Sequence, residues 1–235
     1  MMAKVTIKGV IVSNDDKWVY EWFDMEATSP SDVTGVIEGL DGEDLLVEIN
    51  SVGGDVFAGS EIYTALKKYP GKVTVDILGI AASAASVVAM AGDTVRISPT
   101  AQIMIHNVWS SAYGDYRVMQ HESDVLQNYN TTIANAYRLK TGLEEEKLLE
   151  LMNKETWLNA QQAKELGFVD EILFDEGGQL VAAVNNFVLP PNVLNKIRNL
   201  VKSKEDKQRI YKARLRLLEL GGLIVDEYTR ILRKT

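Results

Sequence analysis

A serine set among very small residues, a histidine closing an apolar run and a pair of adjacent glycines are the parts of this sequence that can do chemistry. The serine is Ser83, in Gly79-Ile80-Ala81-Ala82-Ser83-Ala84-Ala85-Ser86. Tiny neighbours let a strand turn sharply into a helix and let a substrate carbonyl approach the hydroxyl. The first N–H groups of that helix have no intrahelical acceptor and sit at a positive dipole end, where an oxyanion is stabilised. The same stretch also suits a close helix-packing surface. The glycines end Asn50-Ser51-Val52-Gly53-Gly54. They open backbone conformations closed to other residues, either to aim an N–H into a cleft or to make an ordinary turn. The chain has two histidines. His106 follows Ile103-Met104-Ile105, at a strand end, where parallel sheets place their ligand crevices. His121 lies between Gln120 and Glu122 and reads as a surface residue of a polar helix. A serine hydroxyl becomes nucleophilic only when a base takes its proton. A serine hydrolase built from this chain would therefore use His106.

The elements that must hold these residues follow from the hydrophobic pattern. Val5 to Val12 reads as a strand, and Trp18 to Trp22 as a second. Ser31 to Leu40 reads as a helix, opened by Ser31-Asp32 and closed by Gly39. Leu45 to Ile49 and Val73 to Leu78 are short apolar runs, and Ala58 to Lys68 between them has helical spacing. Thr94 to Ile97 and Gln102 to Ile105 read as strands. Tyr116 to Lys140 is a long helix of mixed polarity, followed by helices at Glu144 to Met152 and Ala160 to Leu166. Val169 to Phe174 and Leu180 to Val184 return to strand character. Strands alternating with helices at this spacing predict βαβ units and a mainly parallel sheet.

Composition narrows the classes further. With 46% hydrophobic and 25% charged residues the chain reads as a globular protein. It has no cysteine, which excludes disulfides, thiolate metal sites and a cysteine nucleophile. No run of about 18 apolar residues suggests a membrane span. The start lacks the pattern of a signal peptide, so the cytoplasm is the expected location. The net charge of −8 is unevenly spread: residues 192–235 hold 12 Lys+Arg and 5 Asp+Glu, a net of +7, which leaves −15 for the rest. An acidic body and a basic helical tail suggest two parts with different partners, the boundary falling at Leu189-Pro190-Pro191. The expected division is one acidic domain over 1–189 and a basic helical extension over 190–235.

From about residue 45 to 175 the sequence resembles the proteolytic subunit of the Clp protease, and more closely the phage head-maturation proteases related to it. The resemblance is carried by Asn-Ser-x-Gly-Gly at 50–54, Gly-x-Ala-Ala-Ser at 79–83 and Met-Ile-His at 104–106. Gly-Phe-Val-Asp at 167–170, preceded by Ala160-Gln161-Gln162-Ala163, adds to it. It implies an α/β fold of the Clp and crotonase type, a spiral of ββα units with a protruding handle helix at 116–140 and the handle's strand at Gly114-Asp115. It makes Ser83 the nucleophile and His106 its base, with the Gly54 and Ala84 N–H groups as the oxyanion hole. The family's third residue is an aspartate, and the matching position here is Glu155; a glutamate can still fix the histidine tautomer. Asp170 is the nearest rival, with a turn or capping role as its plainer reading. The resemblance further implies acyl transfer to water with no metal or cofactor, protein or peptide substrates and a homo-oligomeric ring.

No match to the family's N-terminal axial-loop segment is found, so partnership with an ATPase is doubtful. The expected role is a peptidase acting on capsid or scaffold proteins inside an assembling phage head, without membrane or specific nucleic-acid partners. Two other enzyme classes compete. Crotonase-type acyl-CoA enzymes share the backbone oxyanion hole but do not need a Ser–His pair, and signal-peptide peptidases use Ser–Lys and a membrane anchor. A catalytically silent ring acting as an assembly factor is the non-enzyme alternative. The basic tail would dock to an acidic coat or scaffold surface, or be a propeptide.

Overall fold

The computed structural model describes residues 3–175, all within the first of two compact units of the chain, Met1–Gly178. The boundary expected at 189/190, the strand expected at 180–184 and the basic extension lie outside the described residues.

Eight strands form one sheet in the order β2-β1-β3-β4-β5-β8, with β6 pairing β4 and β7. The strands are β1 (Ala3–Ile11), β2 (Ala27–Thr28), β3 (Leu45–Gly54), β4 (Val73–Ala82), β5 (Thr94–Ile97), β6 (Gln102–Ile105), β7 (Thr156–Asn159) and β8 (Glu171–Ile172). All pairs are parallel except β6 with β7. The helices are α1 (Lys17–Trp22), α2 (Pro30–Ile37), α3 (Val56–Lys68), α4 (Ala84–Ala89), α5 (Tyr116–Thr141), α6 (Glu145–Asn153) and α7 (Ala160–Glu165). The expected α/β architecture with a mainly parallel sheet is therefore present.

Alternation explains the core. Along β3, Leu45, Val47, Ile49 and Ser51 are buried while the residues between them are not, so one face of the sheet is covered and the other is partly open. The covered face meets α3 and α4. All six residues of α4 are buried. Gly59 of α3 makes this approach possible, since a Cβ there would lie 3.0 Å from the Ala84 Cβ. Small residues thus serve helix packing as well as the turn at Ser83.

β4 changes neighbours part-way. Thr74 to Ile77 pair with β5, and Ile80 to Ala82 pair with β6. Opposite β3 the register jumps from Ile49↔Ile77 to Ser51↔Ala81, so β4 carries extra residues around Gly79. A Cβ on Gly79 would lie 2.5 Å from Asn50 Oδ1. The glycine therefore leaves room for the Asn50 side chain at the bulge.

Four expectations are corrected. Trp18 to Trp22 is helical, not a strand; it follows Ser13, whose hydroxyl donates to Asp16 Oδ2, and leaves Trp18 and Trp22 exposed. The residues 50–54 are the bulged end of β3 rather than a turn after it. Gly9 pairs with Ser51 and Val10 with Gly53, so Val52 is the extra residue. No strand forms at Gly114-Asp115; Asp115 instead caps α5 by accepting from the Arg117 and Val118 N–H groups. The strand expected over 169–174 shortens to Glu171–Ile172.

Candidate active site

Ser83 joins β4 to α4 with φ +52° and ψ −127°. A non-glycine residue in such a conformation is uncommon and strained. Its backbone is held on both sides. The Ser83 N–H donates to Met104 O at 2.9 Å, extending the β4–β6 ladder by one bond. The Ser83 carbonyl accepts from the Ser86 and Val87 N–H groups at 2.9 and 3.3 Å.

That same ladder delivers the histidine. Ala82 pairs with Met104, so Ser83 and His106 both lie just past the paired segment. His106 Nε2 is 2.8 Å from Ser83 Oγ, within the range for proton transfer. The loop after His106 is tied to two helices. The Val108 N–H donates to Asn130 Oδ1 of α5, and Asn107 Nδ2 donates to Asn153 Oδ1 of α6, both at 2.8 Å.

Gly53 and Gly54 close the other side. A Cβ on Gly53, at φ +87°, would lie 2.5 Å from Ala82 O and 2.8 Å from Ser83 Cβ. Ser51 is buried and braces this glycine. It donates to Gly9 O at 2.7 Å and accepts from the Gly53 N–H at 3.1 Å. Gly54, Ala84, Ser83 and His106 all line one cleft of about 740 Å³. Its walls are largely apolar, with Phe57, Val87, Leu126, Tyr129 and Ile133 among them. Phe57 of α3 and Tyr129 of α5 meet edge to face, ring centres 5.5 Å apart. The α5 residues 126, 129, 133 and 137 recur at helical spacing, a signal that the reading of 116–140 as one long helix of mixed polarity did not use.

Glu155 stands apart from this arrangement. It reverses the chain between α6 and β7 with φ +48°, and the Ile105↔Thr156 pairing puts it next in line to His106. Its carboxylate, however, accepts from Trp157 Nε1 at 3.2 Å. No hydrogen bond joins it to His106 among the described residues. Asp170, the rival, is occupied elsewhere. Its Oδ2 accepts from the Val95 N–H and from Lys140 Nζ, each at 2.6 Å, which fastens the start of β8 to β5 and α5. His121 is exposed on α5. No cluster of three metal-ligating side chains occurs among the described residues, and none of their helices is long and apolar enough to cross a membrane.

A family model for Clp protease matches residues 37–176. The chain belongs to the Clp protease family. Relatives include the ATP-dependent Clp protease proteolytic subunit of Bacteroides fragilis, 31% identical over 134 residues, which are 56% of this chain and 65% of that protein. The subunit of the same name from Mesostigma viride is 30% identical over 64% of this chain and 68% of its own length. Subunit 1 of Chlamydia abortus is 30% identical over 57% and 71%. The chain thus spans just under two thirds of the Bacteroides protein's length. The matched segment contains Ser83, His106, Glu155, Gly54 and Ala84.

Proposed function

We propose that this Clp-family chain is a serine endopeptidase with Ser83 as nucleophile and His106 as general base. The observation that carries this reading is the 2.8 Å contact between Ser83 Oγ and His106 Nε2 in a cleft large enough for a peptide side chain. With its proton on Nδ1, His106 accepts the Ser83 proton at Nε2 as Oγ attacks a peptide carbonyl. The carbonyl oxygen becomes an oxyanion, for which the Gly54 and Ala84 N–H groups are the donors. His106 then passes its proton to the leaving amine. Water, activated by the same imidazole, hydrolyses the acyl-enzyme and restores Ser83. Glu155 completes the triad by turning from Trp157 toward His106 Nδ1. Substrates with an apolar side chain at the scissile bond suit the walls of the cleft.

The test is intact-protein mass spectrometry after fluorophosphonate treatment. One adduct on the wild type, absent from Ser83→Ala and His106→Ala, is the expected result. An unlabelled wild type in its assembled form overturns the reading and favours a silent assembly factor, an alternative that the Glu155–Trp157 contact keeps in view.

Several finer features belong to the same proposal. The chain forms a homo-oligomeric ring in the cytoplasm, and the exposed Trp109, Tyr116, Met119 and Leu139 on and beside α5 supply apolar surface for contacts between copies. It works without an obligatory ATPase on capsid or scaffold proteins. The resemblance to head-maturation proteases supports this. The basic residues 190–235 form a separate extension that docks to an acidic coat or scaffold surface. Deleting 192–235 is expected to prevent incorporation into proheads while peptide hydrolysis continues; incorporation of the truncated chain would remove the docking role.

A further inference from the structure

Behind Ser83 runs a second chain of hydroxyls that takes no part in proton transfer. Ser86 Oγ donates to the Ser83 carbonyl at 2.6 Å, and Tyr137 Oη lies 2.7 Å from Ser86 Oγ. Since the single Ser86 proton is committed to the carbonyl, Tyr137 is the donor in the second bond. Tyr137 is 1% exposed and Ser86 fully buried. Burial pushes the tyrosine's ionisation well above its ordinary range, so its proton stays in place. Three donors therefore converge on one carbonyl: the Ser86 hydroxyl and the N–H groups of Ser86 and Val87.

That carbonyl belongs to the same peptide unit as the Ala84 N–H. The unit is planar, and its C=O and N–H point in opposite directions. Holding the carbonyl fixes where the Ala84 N–H is aimed. Hydrogen bonds to the carbonyl also polarise the amide and make its N–H a better donor. We propose that Ser86 and Tyr137 are positioning residues that orient and strengthen the Ala84 N–H as an oxyanion donor. The inference rests on the peptidase reading above. It also links the cleft wall to the reacting centre, because Tyr137 lies two turns along α5 from Tyr129, which meets Phe57 at the cleft.

The experiment uses the full chain, with active sites counted by fluorophosphonate titration. Ser86→Ala and Tyr137→Phe each remove one oxygen and keep the packing. On a short peptidyl aminomethylcoumarin with an apolar residue before the scissile bond, Ser86→Ala is expected to lower kcat per titrated site about five- to tenfold with KM unchanged. Affinity for a peptide boronate, whose tetrahedral oxygen occupies the oxyanion position, should fall by the same factor. Tyr137→Phe should cost about two- to threefold, and the double variant should match Ser86→Ala alone, since both act through one carbonyl. The pH profile should not move, because neither group touches His106. A merely structural role would instead lower the titratable fraction and Tm, leaving kcat per site intact. That outcome, a loss confined to KM, or effects that multiply in the double variant would each overturn the proposal while the peptidase reading stands. A wild type unlabelled at Ser83 removes both.

Discussion

Ser83 and Glu155 are two of the four non-glycine residues with positive φ among those described, yet their surroundings differ in almost every respect. Ser83 is gripped by β6 through its N–H and by α4 through its carbonyl, and its neighbours Ala82, Ala84 and Ala85 are buried. Glu155 is exposed, and its neighbour Trp157 is 48% exposed on the antiparallel edge strand. Ser83 and His106, the proposed nucleophile and base, are thus held by the central sheet, whereas Glu155, the proposed acid, hangs from the edge. The difference implies that the Ser–His contact is present in the resting molecule. Glu155, in contrast, would join the proposed triad only after its side chain turns from Trp157.

The sharpest way to break this contrast is to remove the central pair. Ser83→Ala and His106→Ala should each reduce peptide hydrolysis by about three orders of magnitude or more, and the double variant should be hardly worse than either. A residual rate in His106→Ala near that of the wild type would show that the contact is not catalytic. Next comes the acid. Glu155→Gln should lower kcat by about ten- to a hundredfold with KM unchanged, less than the loss at Ser83. Trp157→Phe, which frees the carboxylate, should raise kcat or leave it unchanged. An unaffected Glu155→Gln would place the third group elsewhere.

A glycine pair refines the comparison through stability. Gly53→Ala forces a Cβ to 2.5 Å from Ala82 O, and should cost about 1–3 kcal/mol in strain and abolish labelling of Ser83. The same change at Gly35 in α2, where nothing lies within 4 Å of the new Cβ, should stabilise by about 1 kcal/mol. Chemical denaturation of both variants distinguishes a site-specific clash from a general cost of alanine.

The smallest effect concerns α2, far from the chemistry. Asp32 is pushed up by burial, but Lys17 and the Ser29 N–H and hydroxyl outweigh this and hold it below its ordinary value of 3.8. Its contribution is therefore complete above the ordinary carboxylate range and is lost as pH falls below it. Asp32→Asn should remove that part of the acid sensitivity while leaving the Ser83–His106 contact untouched, as thermal melts at pH 3 and pH 6 would register.

The sequence was most informative where pattern and geometry coincide. β5 and β6 fall on Thr94–Ile97 and Gln102–Ile105 as read from their apolar runs, and α5 differs from its expected span by one residue. His106 was placed at a strand end because Ile103-Met104-Ile105 ends there. Two things stayed hidden. Thr156–Asn159, which positions Glu155, is a four-residue strand that among the described residues pairs with β6 alone. Gly92-Asp93 and Ser98-Pro99 set off the equally short β5 and β6, whereas no Gly or Pro between Leu143 and Leu166 separates this strand from the helices on either side. The bulge at Val52 was not foreseen, because paired glycines signal departure from regular backbone without saying whether the ladder continues. Ser86 looked like one more small residue of the packing surface. Nothing in its local spacing tells that Tyr137, 51 positions away, supplies its partner.

The partner change in β4 has a consequence for timing. Ser83 is joined without an intervening loop to the strand that leads into His106, since its amide bonds directly to Met104 of β6. That amide should exchange its hydrogen for solvent deuterium only when the whole sheet opens, whereas amides of the β7 edge should exchange through local fraying. One half of the proposed triad would then keep the clock of global unfolding, and the other a much faster one.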